Sequence, residues 1–371
     1  MGYLERIGRP GPKKLLALDG GGIRGALTVE ILAQIEDLLR RRTGAGAGFV
    51  LADYFDYVAG TSTGAIIAAC LARGMSVAEV TRLYTEHGEA MFDRAFLLKR
   101  FEYRYDSRRL QDMLQRKLGH DTTLGEETLR TLLMMVLRNA STDSPWPLSN
   151  APGAKYNQPG HPDCNLRIPL WQLVRASTAA PTYFPPELID IGTRTFVFVD
   201  GGVTMYNNPA FQLFLMATLP EYGLGWPTGE GRLLLVSVGT GTAAKADDHL
   251  RPEDMNLLYN ASSVPAALMA AALHQQDLLC RVLGRCRFGP PLDREVGALL
   301  TPQGILGVRL MTYLRYCPDL TEEGLEALGL TDIDPEDVQR LDSVDHIDDL
   351  RRVGRAAAQQ YVKDEHFRGF L

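Results

Sequence analysis

The segment Gly60-Thr-Ser-Thr-Gly64 places one serine, Ser62, between two glycines in the pattern G-x-S-x-G. The apolar stretch Phe55–Ala59 predicts a buried strand before it, and Ala65–Ala72 predicts a buried helix after it. A serine on such a strand-to-helix turn presents its hydroxyl beside the unpaired amides of the helix N terminus, and glycines leave room for the turn. Because this pattern alone also occurs in ordinary loops, it is the surrounding elements that favour a nucleophile.

A glycine run, Asp19-Gly-Gly-Gly-Ile-Arg-Gly25, follows the predicted strand Lys13–Leu18 and precedes an amphipathic helix. Such a run exposes backbone N–H groups that can bind an anion. It also satisfies the dinucleotide pattern G-x-G-x-x-G, but that pattern needs an acidic residue ending a second strand about 20 residues later. A helix occupies that region here, so the oxyanion of an acyl-transfer intermediate is the favoured anion.

An aspartate, Asp200, ends the predicted strand Thr195–Val199 and is followed by Gly201 and Gly202. If this strand runs parallel to its neighbours, Asp200 lies at the same sheet edge as Ser62. The alternative interpretation is an ordinary turn aspartate, which is common before glycine.

A serine hydroxyl needs a base to accept its proton. A triad of Ser62, Asp200 and His274 has the chain order of an α/β-hydrolase. However, His274 lies in a predicted amphipathic helix and His249 in a charged loop, so the residues favour Asp200 itself as the base. A carboxylate with an ordinary pKa of about 3.9 is a weak base, and Asp200 must therefore be close and partly desolvated.

Charge and composition exclude several classes of protein. The chain has 39 Lys and Arg against 45 Asp and Glu, which gives a net charge of −6 and no global attraction to nucleic acid or anionic membranes. The basic segment Arg94–Lys117 is interpreted as a solvated helical face in preference to a phosphate site. No His or Cys spacing suggests a metal site, and no apolar run approaches the ~20 residues of a membrane span.

The five cysteines are scattered and odd in number, which favours free thiols in a reducing compartment. The N terminus has no apolar signal core. Together these features predict a soluble, cytoplasmic protein. Two longer segments also carry expectations: Asn139–Asn165 is predicted to be a surface excursion, and the apolar stretch Val264–Leu273 a core helix, with a lipid-facing helix as the alternative.

The three blocks around Gly20, Ser62 and Asp200 resemble, in order and spacing, the signature blocks of the patatin-like phospholipase family. The stretches Ala176–Pro186 and Asn207–Pro209 also look like family features, and the resemblance covers roughly residues 13–241. It implies a three-layer α/β/α fold around a mostly parallel sheet. We expect a single domain over residues 1–371, with a catalytic core at about 13–241 and a mainly helical C-terminal extension at about 247–371.

The resemblance implies a Ser–Asp dyad without histidine, in which Ser62 is the nucleophile and Asp200 the base. It places the oxyanion hole at the amides of Gly20, Gly21 and Gly22. Supporting roles in positioning the loops fall to a further set of residues: Arg24, Gly60, Gly64, Gly201 and Gly202. Neither a cofactor nor a metal is implied.

The implied activity is calcium-independent hydrolysis of acyl esters of phospholipids or lysophospholipids, through an acyl-enzyme, at the membrane surface. Two alternatives remain open: an acyltransferase that uses the same serine, and a non-catalytic nucleotide-binding module that uses the Gly20–Gly25 loop. Some bacterial patatin-like proteins resemble effectors that a cyclic nucleotide switches on, so a cyclic-nucleotide activator is a further hypothesis. The oligomeric state is left open, with a homo-oligomer as one option.

Overall fold

The computed structural model describes residues 2–92, 103–181, 183–242, 251, 257–293, 295–300 and 307–371. Within them, strands are found over the following ranges: β1 Lys13–Leu18, β2 Tyr57–Thr61, β3 Leu132–Asn139, β4 Ser144–Ser149, β5 Glu187–Ile191, β6 Arg194–Asp200, β7 Leu233–Val238, β8 Arg285–Phe288 and β9 Thr312–Tyr316. The α-helices of the same residues are α1 Tyr3–Ile7, α2 Gly25–Thr43, α3 Leu51–Tyr54, α4 Thr63–Ala72, α5 Val77–Phe92, α6 Tyr103–Leu118, α7 Leu170–Ser177, α8 Ala210–Thr218, α9 Leu257–Leu283, α10 Glu322–Ala327, α11 Pro335–Gln339 and α12 Ile347–Tyr361.

All nine strands join one mixed sheet in the order β5-β6-β3-β2-β1-β7-β9-β8, with β4 paired to β3 off this path. The pairs from β3 through β2, β1, β7 and β9 to β8 are parallel. The pairs that β3 makes with β4 and β6, and β5 with β6, are antiparallel. The mostly parallel sheet predicted from the sequence is therefore present, with an antiparallel group of strands at one end.

The central strands form because their sequences are apolar on both faces. All residues of β2 and β7 are buried, as parallel strands covered by helices require. Helix α4 follows β2 and is likewise buried at every position, which explains its apolar sequence. Helix α2 ends at Gly44, whose φ of 66° closes the helix in the left-handed conformation that glycine adopts without strain.

Helices cover both faces of the sheet. The first crossovers run from β1 to β2 and on to β3, and their helices α2 and α4 pack together on one face. The crossover from β7 to β8 proceeds in the opposite direction along the sheet, so the right-handed rule places α9 on the other face. There α9 packs against α8, which in turn contacts β1 and β7. The fold is therefore the expected three-layer α/β/α sandwich.

The C-terminal region is mainly helical, as predicted, but it also adds strands β8 and β9 to the sheet. Helix α12 packs along α2, where Gly354 lies directly against the backbone of Leu27. The predicted surface excursion at 139–165 is wrong in part, because it contains β4 and the fully buried Asn150. Of the basic segment Arg94–Lys117, residues 94–102 lie outside the described part of the chain.

The described residues contain no helix that combines the length and apolar character needed to cross a membrane. All five cysteines are buried and none forms a disulfide. The predicted core helix at Val264–Leu273 is wrong in its burial, because this part of α9 is largely exposed.

Candidate active site

Ser62 occupies the sharp turn between β2 and α4. Its backbone has φ 55° and ψ −122°, a conformation that is strained for a residue with a Cβ. The Ser62 amide donates a hydrogen bond of 3.0 Å to Ser177 Oγ, and Ser177 Oγ in turn donates to the Val136 carbonyl at 2.7 Å. The strained turn is thus held by α7 and β3, and it aims the Ser62 hydroxyl out of the sheet edge.

The Ser62 hydroxyl and the Asp200 carboxylate are in direct contact. Ser62 Oγ donates to Asp200 Oδ2 at 2.6 Å, while Asp200 Oδ1 accepts from the Gly202 amide at 2.6 Å. Only 8% of Ser62 and 5% of Asp200 is accessible to solvent. Each carboxylate oxygen therefore has one donor, and the oxygen facing Ser62 is placed to take its proton.

The strand that carries Asp200 does not run in the predicted direction. Strand β6 is antiparallel to β3, and Asp200 pairs with Leu137. In the parallel pair of β2 and β3, Thr61 lies opposite Val136, so Ser62 and Asp200 flank β3 at the same level. The two residues meet because β3 extends past the carboxyl end of β2. Strand β6 pairs with this extension, runs back toward the end of β2 and finishes there at Asp200.

Burial raises the pKa of Asp200 to about 6, although the hydrogen bonds from Ser62 and Gly202 act in the opposite direction. Removal from water disfavours the charged carboxylate and makes it a stronger base than an exposed aspartate. At neutral pH most Asp200 side chains are still ionised. Asp200 is therefore both close to Ser62 and desolvated, as a carboxylate that acts as the base must be.

The glycine run lies beside Ser62, but its three amides are not equivalent. The Gly20 amide donates to the Asn207 carbonyl at 3.1 Å, so it is not free to bind an oxyanion in this conformation. That observation corrects the expected set of three donors. Among the described residues, no acceptor is found for the amides of Gly21 and Gly22. Gly20 itself approaches Ser62 so closely that an added Cβ would contact the serine Cβ at 3.2 Å.

Two contacts shape the free end of this loop. Gly22 has φ 58° and lies against the Leu341 carbonyl, which accepts a hydrogen bond from the Ile23 amide at 3.0 Å. Thr240 Oγ1 donates to the Gly20 carbonyl at 2.9 Å. The C-terminal region and the end of β7 therefore hold the loop that carries the two free amides.

Sequence reasoning missed the ion pair that anchors the start of the loop. Arg315 on β9 makes a two-pronged contact with Asp19, with Nη1 at 2.9 Å from Oδ1, and Nη1 also donates to Ser237 Oγ at 2.7 Å. Burial lowers the pKa of the Arg315 guanidinium, but the adjacent Asp19 carboxylate outweighs it and raises that pKa well above its ordinary value. The available signal was a single arginine inside the apolar strand Thr312–Tyr316.

The remaining glycines allow close backbone contacts. An added Cβ at Gly60 would collide with the Gly64 carbonyl, and one at Gly201 would collide with the Val136 carbonyl. Gly64 is similarly pressed against the Leu18 carbonyl. Arg24 is half-buried, and among the described residues its Nε has no hydrogen-bond partner.

The histidine of the alternative triad does not reach the site. His274 is exposed on α9, and His249 lies outside the described residues. The hydrogen bonds of the Asp200 carboxylate within the described chain come from Ser62 and Gly202. In the same part of the chain, no group of three or more His, Cys, Asp or Glu side chains is arranged to hold a metal ion.

A strained serine that is hydrogen-bonded to a buried aspartate lies beside glycine amides that have no acceptor in the described part of the chain, and this arrangement is suited to acyl transfer. The family model described as patatin-like phospholipase matches residues 16–214, a region that contains all three blocks. The chain belongs to the patatin-like phospholipase family. The anchoring residue Arg315 lies outside the matched region, so this part of the site comes from the C-terminal extension.

Relatives with curated descriptions are about a third identical to this family member over the aligned parts of the two chains. A cGAMP-activated phospholipase of Vibrio cholerae is 33% identical over 53% of this chain and 56% of its own. A cGAMP-activated phospholipase of Escherichia coli is 32% identical over 61% and 62%, and Patatin-17 of Solanum cardiophyllum is 30% identical over 63% and 61%. The chain thus matches about three-fifths of the length of these relatives.

Proposed function

We propose that this protein is a serine hydrolase that cleaves the carboxylic esters of phospholipids or lysophospholipids. The observation that carries the proposal is the 2.6 Å hydrogen bond from Ser62 Oγ to Asp200 Oδ2, between two buried side chains at the edge of the sheet. Family membership and the names of the relatives support the lipid substrate class.

In the proposed mechanism, Asp200 accepts the Ser62 proton as Oγ attacks the ester carbonyl. The amides of Gly21 and Gly22 stabilise the oxyanion that forms on the carbonyl oxygen. Collapse of this intermediate expels the alcohol, which takes the proton from Asp200, and leaves an acyl group on Ser62. Water, deprotonated by Asp200, then attacks the acyl-serine. Collapse of the second intermediate breaks the bond to Ser62 Oγ, which takes the proton back from Asp200, and releases the fatty acid.

The test is product analysis by mass spectrometry on a mixed panel of phospholipids and lysophospholipids. We expect the wild-type protein to release free fatty acid and the Ser62→Ala variant to release none above the blank. Added alcohol acceptors test the acyltransferase alternative, since a transferase would divert the acyl group from fatty acid to the acceptor. Equal product from wild type and Ser62→Ala would refute the proposed nucleophile.

We further propose regulation by a cyclic nucleotide, because two of the relatives are described as cGAMP-activated phospholipases. Assays with and without cGAMP and other cyclic dinucleotides test this part separately. Indifference to all of them removes the regulatory proposal and leaves the hydrolase proposal intact. We also propose that residues 1–371 form one domain, since β9 supplies Arg315 to Asp19 and α12 packs on α2.

A further inference from the structure

The N-terminal half of α9 combines an apolar sequence with an exposed surface. No Asp, Glu, Lys or Arg occurs from residue 257 to residue 276. Every residue from Val264 to Leu268 is exposed, with Val264 at 48% and Leu268 at 66%. Successive helical residues are 100° apart, so five of them face every direction around the axis. This segment is therefore exposed on all sides, unlike a surface helix with one apolar stripe.

The C-terminal half of the same helix is firmly fixed to the sheet. Asp277 accepts hydrogen bonds from Arg281 Nε at 2.9 Å and from the Tyr313 hydroxyl at 2.9 Å. Arg309 Nη1 donates to the Gly284 carbonyl at 2.7 Å, just beyond the helix end. The exposed half is thus the free end of an anchored helix.

This free end projects past the edge of the sheet where the site lies. The Leu283 carbonyl accepts from the Leu310 amide, which places the end of α9 beside the start of β9. The helix therefore runs antiparallel to β9, and its first residues lie toward the carboxyl end of that strand. From Asp277 to Val264 the helix rises about 20 Å, whereas from Tyr313 the strand continues only about 10 Å. By these rises, Val264 lies about 10 Å beyond the last residue of β9 along the strand direction.

A second apolar element lies at the same edge. Val203 is 40% exposed and Met205 is 49% exposed, on the loop that leaves Asp200. This loop is held at the site, because Thr61 Oγ1 donates to the Tyr206 carbonyl at 2.7 Å. Exposed apolar side chains therefore occur both next to the proposed catalytic carboxylate and on the helix that overhangs its edge of the sheet.

We propose that the exposed half of α9, the segment Val264–Leu273, inserts into the surface of a lipid bilayer and holds the active-site edge against it. The choice of lipid rests on the proposed function. A second copy of the chain would cover one side of the helix, whereas hydrocarbon surrounds a helix that is apolar on every side. An overhang of about 10 Å matches the depth to which interfacial helices enter a membrane.

The decisive variant is Leu268→Glu, compared with Leu4→Glu as a matched control. Leu4 is also an exposed leucine on a helix, but α1 lies at the opposite edge of the sheet, immediately before β1. Flotation with phosphatidylcholine vesicles measures binding without attraction by anionic headgroups. We expect Leu268→Glu to reduce the vesicle-bound fraction about tenfold or more, and Leu4→Glu to bind as wild type. Equal binding of all three proteins would overturn the proposal.

Hydrolysis of a short-chain, water-soluble ester separates this proposal from the proposed function. We expect Leu268→Glu to retain wild-type turnover of the soluble ester while its hydrolysis of vesicle phospholipid falls in proportion to binding. Vesicle binding that depends on Leu268, with no hydrolysis of either substrate, would support the membrane segment and refute the hydrolase. A wild-type dimer that Leu268→Glu converts to monomer, with vesicle binding unchanged, would identify a subunit interface and overturn the membrane proposal.

A depth probe gives an independent readout. The five native cysteines are buried, so Leu268→Cys and Leu4→Cys each add one accessible thiol for a polarity-sensitive dye. We expect vesicles carrying brominated acyl chains to quench the dye at 268 and not the dye at 4. Equal quenching at both positions, or at neither, contradicts insertion of α9.

Discussion

The active-site edge buries charged side chains, whereas the overhanging half of α9 exposes apolar ones. At the edge, Asp19, Asp200 and Arg315 are charged groups with at most 5% of their surface accessible. On α9, Leu268 is an apolar residue with 66% accessible. Proteins ordinarily bury apolar side chains and expose charged ones, so each region carries a cost in stability.

The buried charges and the exposed apolar residues differ in what stabilises them. Buried charges are stabilised by partners inside the chain, as Asp19 is by Arg315. Exposed apolar residues on α9 have no such partner among the described residues, and only an external apolar phase would remove them from water. The buried charges of the active-site edge are therefore suited to chemistry within the protein. The exposed apolar residues of α9 are suited to contact with an apolar surface outside it.

Removing the buried carboxylate has the largest expected effect on activity. The Asp200→Asn substitution preserves the side-chain shape but leaves Ser62 without a base, so kcat is expected to fall about 10³-fold or more. Steady-state kinetics on a soluble ester measures this loss. Asp190→Asn, an exposed aspartate on the neighbouring strand β5, is the matched control and is expected to retain full activity. A loss of less than tenfold in Asp200→Asn would show that the buried carboxylate is not the base.

Two variants of the buried Asp19–Arg315 pair distinguish its contribution to stability from its role in positioning the glycine loop. Arg315→Met leaves the buried Asp19 carboxyl without its cationic partner, and is expected to lower the free energy of unfolding by about 3–5 kcal/mol in urea denaturation. The double variant Asp19→Asn with Arg315→Met is expected to recover most of that stability, because no buried carboxyl is left without its partner. The kcat of the double variant is expected to remain below that of the wild type while its KM changes little. The reason is that the loop that carries the Gly21 and Gly22 amides has lost its anchor.

An exposed ion pair is the control for the previous variants. Arg352 and Asp332 form a surface pair on the C-terminal region. Arg352→Met is expected to leave the urea midpoint close to that of the wild type, because an exposed ion pair contributes little to stability. Full activity in the stable double variant would contradict a positioning role for the Asp19–Arg315 pair.

The pH dependence tests the environment of Asp200. A base must be ionised to accept a proton, and burial raises the Asp200 pKa to about 6. We therefore expect kcat/KM on a soluble ester to be constant above pH 7 and to fall about tenfold per pH unit well below pH 6. A profile that stays flat down to pH 4 would indicate a carboxylate with an ordinary pKa and would contradict the effect of burial.

The smallest expected effect comes from the hydrogen bond that supports the glycine loop. Thr240→Val keeps the volume of the side chain but removes the 2.9 Å bond to the Gly20 carbonyl. The expected loss is about 1 kcal/mol of unfolding free energy, with a few-fold fall in kcat. Thermal denaturation and kinetics on one sample measure both. An unchanged kcat with lowered stability would show that this bond supports the fold and not the loop.

The parallel half of the fold was predictable because local sequence determines it. The apolar strand, the glycine-rich turn and the buried helix around Ser62 follow one another along the chain, and the structure places them within a few residues of the predicted bounds. The direction of β6 was not predictable in this way. Its pairing with β3 depends on residues about 60 positions apart, and an apolar run has the same pattern in either direction.

The exposure and the long-range contacts of the C-terminal region could not be predicted from local sequence either. The Val264–Leu273 segment has the composition of a core helix, yet it is largely exposed, because its burial depends on tertiary packing that composition does not determine. The partnership of Arg315 with Asp19 joins positions that are 296 residues apart. A lone arginine in an apolar strand indicates a buried partner, but the sequence does not identify which carboxylate it is.

The activation of Ser62 by Asp200 is tested directly by the rate at which a fluorophosphonate labels the serine, with peptide mass spectrometry to locate the modified residue. We expect the probe to modify Ser62 in the wild-type protein, and Asp200→Asn to slow labelling by about 10²-fold or more because the hydroxyl has lost its base. Modification of another residue, or equal labelling rates in the two proteins, would contradict a nucleophile that depends on this buried aspartate.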